Sequence, residues 1–325
     1  MTPRSLLLGA LLLAGPPQTP PKPPPAAWQG LIGEYGADSA TTVMVLERNG
    51  TLVLRRNTAE HGLRQVGAGW FRLGDTVVQF RRGDLGRAVE IRVGNTVLKK
   101  MALGPEEGSV FRIVPVRPVE QLRTEALAAA PPPESGSFRD ADLTELIRLD
   151  PSIRLDIRYA GSDNFLGTPL YSSPRAFLQR PAAEALVRAH RRLRARGYGL
   201  LVHDGYRPWY VTRMFWDATP PAQHEFVADP ATGSRHNRGC AVDLTLYDLN
   251  TGKPVQMPGT YDEFSHRSYP GYPGGTSRQR WFRALLQETM ETEGFTVYTS
   301  EWWHFDFRDW KQYRIGNASF EQLTR

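Results

Sequence analysis

Two short segments concentrate the residues able to do chemistry. One is Ser234-Arg235-His236-Asn237-Arg238-Gly239-Cys240-Ala241-Val242-Asp243, and the other is Glu301-Trp302-Trp303-His304. Together they offer two imidazoles, a carboxylate suited to a metal, and a second carboxylate beside the last imidazole. That is the inventory of a catalytic zinc site with three protein ligands, an open position for water, and a general base. Cys240 is the single cysteine. An intrachain disulfide and a cysteine-based zinc ribbon are therefore excluded, and a metal must be held by His, Asp and Glu.

Side chains alternate along Val242-Asp243-Leu244-Thr245-Leu246, so Asp243 and Thr245 share one face of the expected strand. A carboxylate in so apolar a strand needs a partner, because burying it alone is costly. A metal supplies one; a lysine or arginine would serve as well, and a strand-edge position would remove the need. His304 shares a face with Trp302 and Asp306, which also suits a satisfied core histidine. If the strand begins after Glu301, that carboxylate sits in the turn. There it can take a proton from water and return it to a leaving amine.

Elements that position these residues follow from the pattern on either side. From about Phe138 the chain reads as α+β. Ile153–Tyr159 and Gly199–Asp204 read as strands, the latter running into Gly205-Tyr206-Arg207-Pro208. Pro181–Arg196 reads as a helix stopped by Gly197, Tyr210–Asp217 as a helical turn or two, and Gln279–Glu293 as a helix stopped by Gly294. Ala241–Leu246 and the stretch Phe295–Phe307 supply the remaining strands.

Between Trp28 and Met101, six short β-rich runs alternate with turn pairs such as Asn49-Gly50 and Gly94-Asn95. This spacing predicts an antiparallel meander forming a small barrel or sandwich. Glu120–Ala130 reads as a helix, and the Ala/Pro/Gly/Ser stretch 128–137 as a linker. The expected division is a signal segment at 1–15, a proline-rich linker at 16–27, a small all-β domain at 28–127, the linker at 128–137, and the chemistry at 138–325. The apolar run Ser5–Gly15 behind Arg4 fits a secretory signal and is too short to span a bilayer, so export to the periplasm or beyond is expected. Otherwise the chain stays in the cytoplasm.

The 325 residues carry a net charge of +6. The densest basic stretch, Arg188–Arg196, reads as a solvated helix face, and no nucleic-acid motif is interleaved with it.

Taken together, S-x-H-x-x-G-x-A-x-D and E-x-W-H resemble the M15 zinc peptidases, whose fold is shared with the hedgehog signalling domain. Asp204-Gly205-Tyr206-Arg207-Pro208, Asp163-Asn164-Phe165 and Tyr261-Asp262-Glu263-Phe264-Ser265-His266-Arg267-Ser268 place the likeness in the D-alanyl-D-alanine dipeptidase branch. It runs from roughly Leu146 to Tyr313 and leaves out the β-domain. The resemblance implies a hedgehog/D,D-peptidase-like α+β domain with an antiparallel sheet and flanking helices. It implies one zinc ion on His236, Asp243 and His304, with Glu301 as general base and acid and Arg207 polarising the scissile carbonyl. A salt bridge to Asp204 is the structural alternative for Arg207. Ser234 and Asp262 would hold the substrate's polar ends, and Tyr171 would line the pocket. The implied reaction is zinc-dependent hydrolysis of D-alanyl-D-alanine by metal-activated water, in peptidoglycan turnover or glycopeptide resistance. Two other functions suit the same residues: a D,D- or L,D-carboxypeptidase acting on longer peptidoglycan stems, and a zinc-stabilised binding module.

Overall fold

Turn chemistry cuts the N-terminal half into hairpins. At the first, Asn49 (φ 47°) and Gly50 (φ 83°) adopt the pair of left-handed conformations that a tight hairpin turn requires. The computed structural model describes residues 19–37, 40–105 and 109–323; the expected signal segment at 1–15 lies outside them. Nine strands follow in order: β1 (Gly33–Ala37), β2 (Ala40–Arg48), β3 (Thr51–Arg56), β4 (Ala59–Gly62), β5 (Arg64–Gly67), β6 (Trp70–Leu73), β7 (Thr76–Arg82), β8 (Ala88–Val93) and β9 (Thr96–Lys100). They form one sheet in the order β4-β3-β2-β1-β9-β8-β7-β6-β5. The two edge strands, β4 and β5, are separated in the chain by Leu63 alone. The sheet must therefore curl until its edges approach, which makes it barrel-like. Inward residues such as Tyr35, Val45, Phe71, Val78 and Ile91 fill the interior.

A second, larger core lies beyond the sheet, built from residues between Leu122 and Phe320. The helix Val119–Leu127 contributes Leu122 and Ala126 to this second core. The change from one core to the other thus falls ahead of the 128–137 stretch that composition suggests as the linker.

Seven further strands follow: β10 (Leu143–Glu145), β11 (Arg154–Leu155), β12 (Phe177–Gln179), β13 (Tyr198–Asp204), β14 (Ala241–Asp248), β15 (Phe295–Tyr298) and β16 (Glu301–Phe307). Five of them form a sheet ordered β11-β13-β14-β16-β15, with β11–β13 parallel and the other pairs antiparallel. The helix Arg180–Arg194 packs on β13, the helix Ser277–Thr292 packs on β15, and the two helices touch each other. They cover one face of the sheet, where Val242, Leu244 and Leu246 point. The other face is left to Asp243 and His304.

Within the basic stretch at 188–196, Arg188 and Arg192 both reach the Glu293 carboxylate, at 2.7 and 2.5 Å, while their side chains stay more than half exposed. The strand expected over Ile153–Tyr159 is confined to β11. Beyond it the Asp156 carboxylate turns to Arg158, and Tyr159 is drawn into the core against Phe215. Among the described residues, no helix is long and apolar enough to cross a membrane.

Candidate metal centre and active site

Antiparallel register brings the two chemical segments together. β14 pairs with β16 so that Asp243 stands opposite His304. His236 sits in a single 3-10 turn, His236–Arg238, just ahead of β14. Gly239 ends that turn at φ 66°, and a Cβ there would meet a Leu143 methyl at 2.4 Å. Only glycine fits both the conformation and the space.

The resulting cluster is a tight triangle. His236 Nε2 lies 3.1 Å from His304 Nδ1 and 3.3 Å from Asp243 Oδ1, and the latter two are 3.1 Å apart. All three residues are buried. The outward nitrogens fix the tautomers. His236 Nδ1 donates to the Gly205 carbonyl at 2.7 Å, and His304 Nε2 donates to Asp306 Oδ1 at 2.9 Å. Each ring therefore aims a lone pair at the other two ligand atoms. Asp243 Oδ2 accepts from Tyr261 at 3.1 Å, whereas Oδ1 is buried without a hydrogen-bond partner. Three acceptors facing one another repel unless a cation lies among them, so the donor set fits a divalent metal.

Electrostatics agree. Burial opposes ionising Asp243, yet the His236 and His304 imidazoles hold its carboxyl well below the ordinary range. Burial opposes charging His304, yet Asp306 and Asp243 hold its imidazole well above its usual value. A proton there relieves the repulsion, and a metal ion displaces it.

Glu301 opens β16 instead of lying in the turn before it, with its carboxylate 3.6 Å from His304 Nδ1. Burial pushes its carboxyl up to about 7; the charge on His304 opposes this and that on Asp243 adds to it. A carboxyl balanced near neutral pH can both take and give a proton.

Arg207 is buried. Its Nε and Nη2 each lie 2.9 Å from Asp204 Oδ2, and Nη2 is 3.8 Å from Asp243. The guanidinium packs over the Phe215 ring at 4.6 Å. Both alternatives for Arg207 therefore meet in one geometry: the salt bridge to Asp204 holds the guanidinium at the edge of the cluster. Gly205 lets the segment leaving β13 pass close to β12, since a Cβ there would fall 2.8 Å from the Phe177 carbonyl, to which the Tyr206 N–H donates at 2.7 Å.

A cavity of about 520 Å³ joins these groups, lined by Arg207, Ser234, His236, Asp243, Asp262, Glu301 and His304 with Tyr159, Phe215 and Trp310. Asp262 takes a left-handed conformation (φ 55°) and accepts from Tyr159 at 2.7 Å. Ser234 Oγ accepts from the His236 backbone N–H at 3.2 Å. Tyr171 departs from expectation: it does not line the cavity. Its hydroxyl donates to Asp204 Oδ1 at 2.7 Å and supports Arg207 from behind. Two partners escaped the sequence reading. Tyr159 carries no motif, and Asp306 was visible only as the residue sharing a face with His304.

Residues 139–320 match the peptidase family M15 model, described as D-ala-D-ala dipeptidase. The D-alanyl-D-alanine dipeptidase of Escherichia coli (strain K12) is 36% identical over 169 residues, which is 51% of this chain and 86% of that protein. The D-alanyl-D-alanine dipeptidase of Enterococcus faecium is 36% identical over 175 residues, 48% of this chain and 87% of the relative. A solved LdcB LD-carboxypeptidase aligns with TM-score 0.30 and 16% identity, covering 57% of this chain and 72% of its own. With more than half of the chain matched by the family model and most of each relative's length matched in turn, the chain belongs to the M15 peptidase family of D-ala-D-ala dipeptidases.

Proposed function

We propose that the protein hydrolyses the dipeptide D-alanyl-D-alanine with one zinc ion held by His236, Asp243 and His304. The observation that carries this is the closed triangle of ligand atoms, with the buried Asp243 Oδ1 lacking a partner, Glu301 beside His304 and Arg207 beside Asp243. Zinc, when bound, makes water nucleophilic near neutral pH and polarises a carbonyl. The chain's own residues do the rest. Glu301 accepts a proton from the attacking water and returns it to the departing amine, a shuttle suited to a carboxyl balanced near neutrality. Arg207, already fixed by Asp204, offers N–H groups to the carbonyl oxygen as negative charge develops on it.

Asp262 receives the substrate's ammonium group. Burial and the charge of Asp243 push its carboxyl well above the usual range, and a docking ammonium favours the ionised form. Ser234 meets the carboxylate end. The same reading takes the N-terminal sheet and the M15 half as two domains and the leader at 1–15 as an export signal.

The test is D-alanine release from D-alanyl-D-alanine by the purified chain, with chelator and with zinc added back. Chelator-sensitive release restored by zinc is expected. Release from a pentapeptide stem with none from the dipeptide would replace this reading by the carboxypeptidase one.

A further inference from the structure

The nine-stranded sheet grips the segment that carries Asp262. Glu34, buried in β1, accepts hydrogen bonds on Oε1 from Tyr272 Oη at 2.9 Å and from His266 Nε2 at 2.6 Å. Glu47, buried in β2, accepts from the Ser277 backbone N–H at 2.7 Å, and its own N–H donates to the Gly275 carbonyl at 3.1 Å. At Gly104, beyond β9, a Cβ would meet the Glu263 carboxylate at 2.2 Å, so the chain leaving the sheet lies directly over Glu263.

Glu263 is the hub of the segment. Its carboxylate accepts from Thr260 N at 3.0 Å, from Thr260 Oγ1 at 3.0 Å and from Arg267 at 2.7 Å. Asp262, its neighbour, stands in a wall between two cavities. One is the active-site cavity of about 520 Å³, and the other, of about 1100 Å³, opens between the sheet and the peptidase half. With a second cavity on its far side, Asp262 is buried but bordered by open space on both faces, and Tyr159 is the side chain that holds its carboxylate. Its left-handed backbone makes it sensitive to how residues 263–272 are held. The matched dipeptidases use 86 to 87% of their own length on about half of this chain, which leaves them little length for a unit of this size.

We infer that Glu34 is a positioning residue for the peptidase reaction: through His266 and Tyr272 the β-barrel fixes the Asp262 segment and so sets substrate affinity. The inference rests on Asp262 meeting the substrate's ammonium group, as proposed above. Glu34 touches neither substrate nor metal ligands. Because Asp262 would hold the ammonium equally in ground and transition states, loosening it raises KM and leaves kcat nearly unchanged.

The experiment compares the full, zinc-loaded chain with Glu34→Gln, His266→Ala and the double variant. His266 has about half of its side chain exposed, so its variant folds even if the buried Glu34→Gln does not. In each single variant, loss of a charge-assisted hydrogen bond should raise KM for D-alanyl-D-alanine about tenfold. The double variant should be no worse than the weaker single, because the two residues act as one contact. Amide hydrogen exchange should rise over residues 259–272 while β14, β16 and bound zinc stay as in the parent. Unchanged KM with unchanged exchange over 259–272 would overturn the inference. So would a joint loss of kcat and thermal stability with exchange raised evenly along the chain, which marks a merely structural role. If the parent itself releases no D-alanine, the proposed substrate is wrong, and the exchange pattern still decides whether the barrel holds this segment.

Discussion

Asp243 and His304 face each other across one rung of the β14–β16 ladder, with Asp243 Oδ1 3.1 Å from His304 Nδ1. Backbone hydrogen bonding therefore presets two of the three candidate ligand positions, on strands buried on both faces. The third, His236, is set by a turn whose closing residue must be glycine. A site built on a sheet in this way needs little rearrangement to take a metal. Its precision depends on the groups that aim the imidazoles.

Asp306 aims one of them. It accepts from His304 Nε2 and is itself held by Arg235 at 2.8 Å, whose guanidinium lies over the Trp310 ring. Asp306→Ala leaves all three ligands in place but frees the ring. Zinc affinity, measured by competition with a chromophoric chelator, should fall about 10- to 100-fold. An unchanged affinity would mean that packing alone orients His304.

Glu301→Gln keeps the size of the side chain and removes its ability to accept a proton. Bound metal should stay at the parent level, while kcat for D-alanyl-D-alanine falls by about 10² to 10⁴. Loss of metal together with activity would instead make Glu301 a ligand.

The cluster of His236, Asp243 and His304 was legible as a candidate because metal chemistry demands particular residue types, and the alternation of strand residues shows which of them share a face. The six β-rich runs of the N-terminal half were legible for the same reason. β1, β4 and β5 were not. β1 is Gly-Glu-Tyr-Gly-Ala, poor in strand formers, and β4 is exposed along its whole length with no apolar alternation. Their partners across the sheet define them. The support of Arg207 by Tyr171 was hidden too, because a tyrosine lining a cavity and one lying behind it look alike in sequence. The grip of Glu34 on His266 joins residues 232 positions apart, and no local pattern announces such a contact.

Arg207 and Asp204 form a buried pair, so the choice of substitution matters. Arg207→Ala leaves the Asp204 carboxylate uncompensated, which costs about 3–5 kcal/mol of stability and confuses the kinetics. Arg207→Lys keeps the charge but lacks the planar fork of donors. Its melting temperature should stay near the parent value while kcat falls by about 10² to 10³, the value of one oxyanion donor. A lysine variant with full kcat would reduce Arg207 to a partner of Asp204.

His190 provides a stability test away from the metal. It is fully buried, its Nδ1 accepts from the Leu200 N–H at 3.1 Å, and its Nε2 therefore donates to Ser152 Oγ at 3.0 Å. Ser152 in turn donates to Asp150. The trio looks like a nucleophile, base and acid, but the tautomer is wrong for that role: the imidazole gives a proton to the hydroxyl and cannot take one. Burial lowers its pKa from 6.5 to about 4, against the opposing charge of Asp150. The folded state thus binds the proton more weakly than the unfolded one. The contribution of a neutral His190 is complete above pH 6.5 and is lost as the pH falls toward about 4. Thermal melts across that window should show the parent losing stability more steeply than His190→Gln, which has no titrating ring. Carboxylates titrate in both proteins, so the difference between the two curves belongs to His190. Parallel curves would mean that the ring is already charged in the folded state.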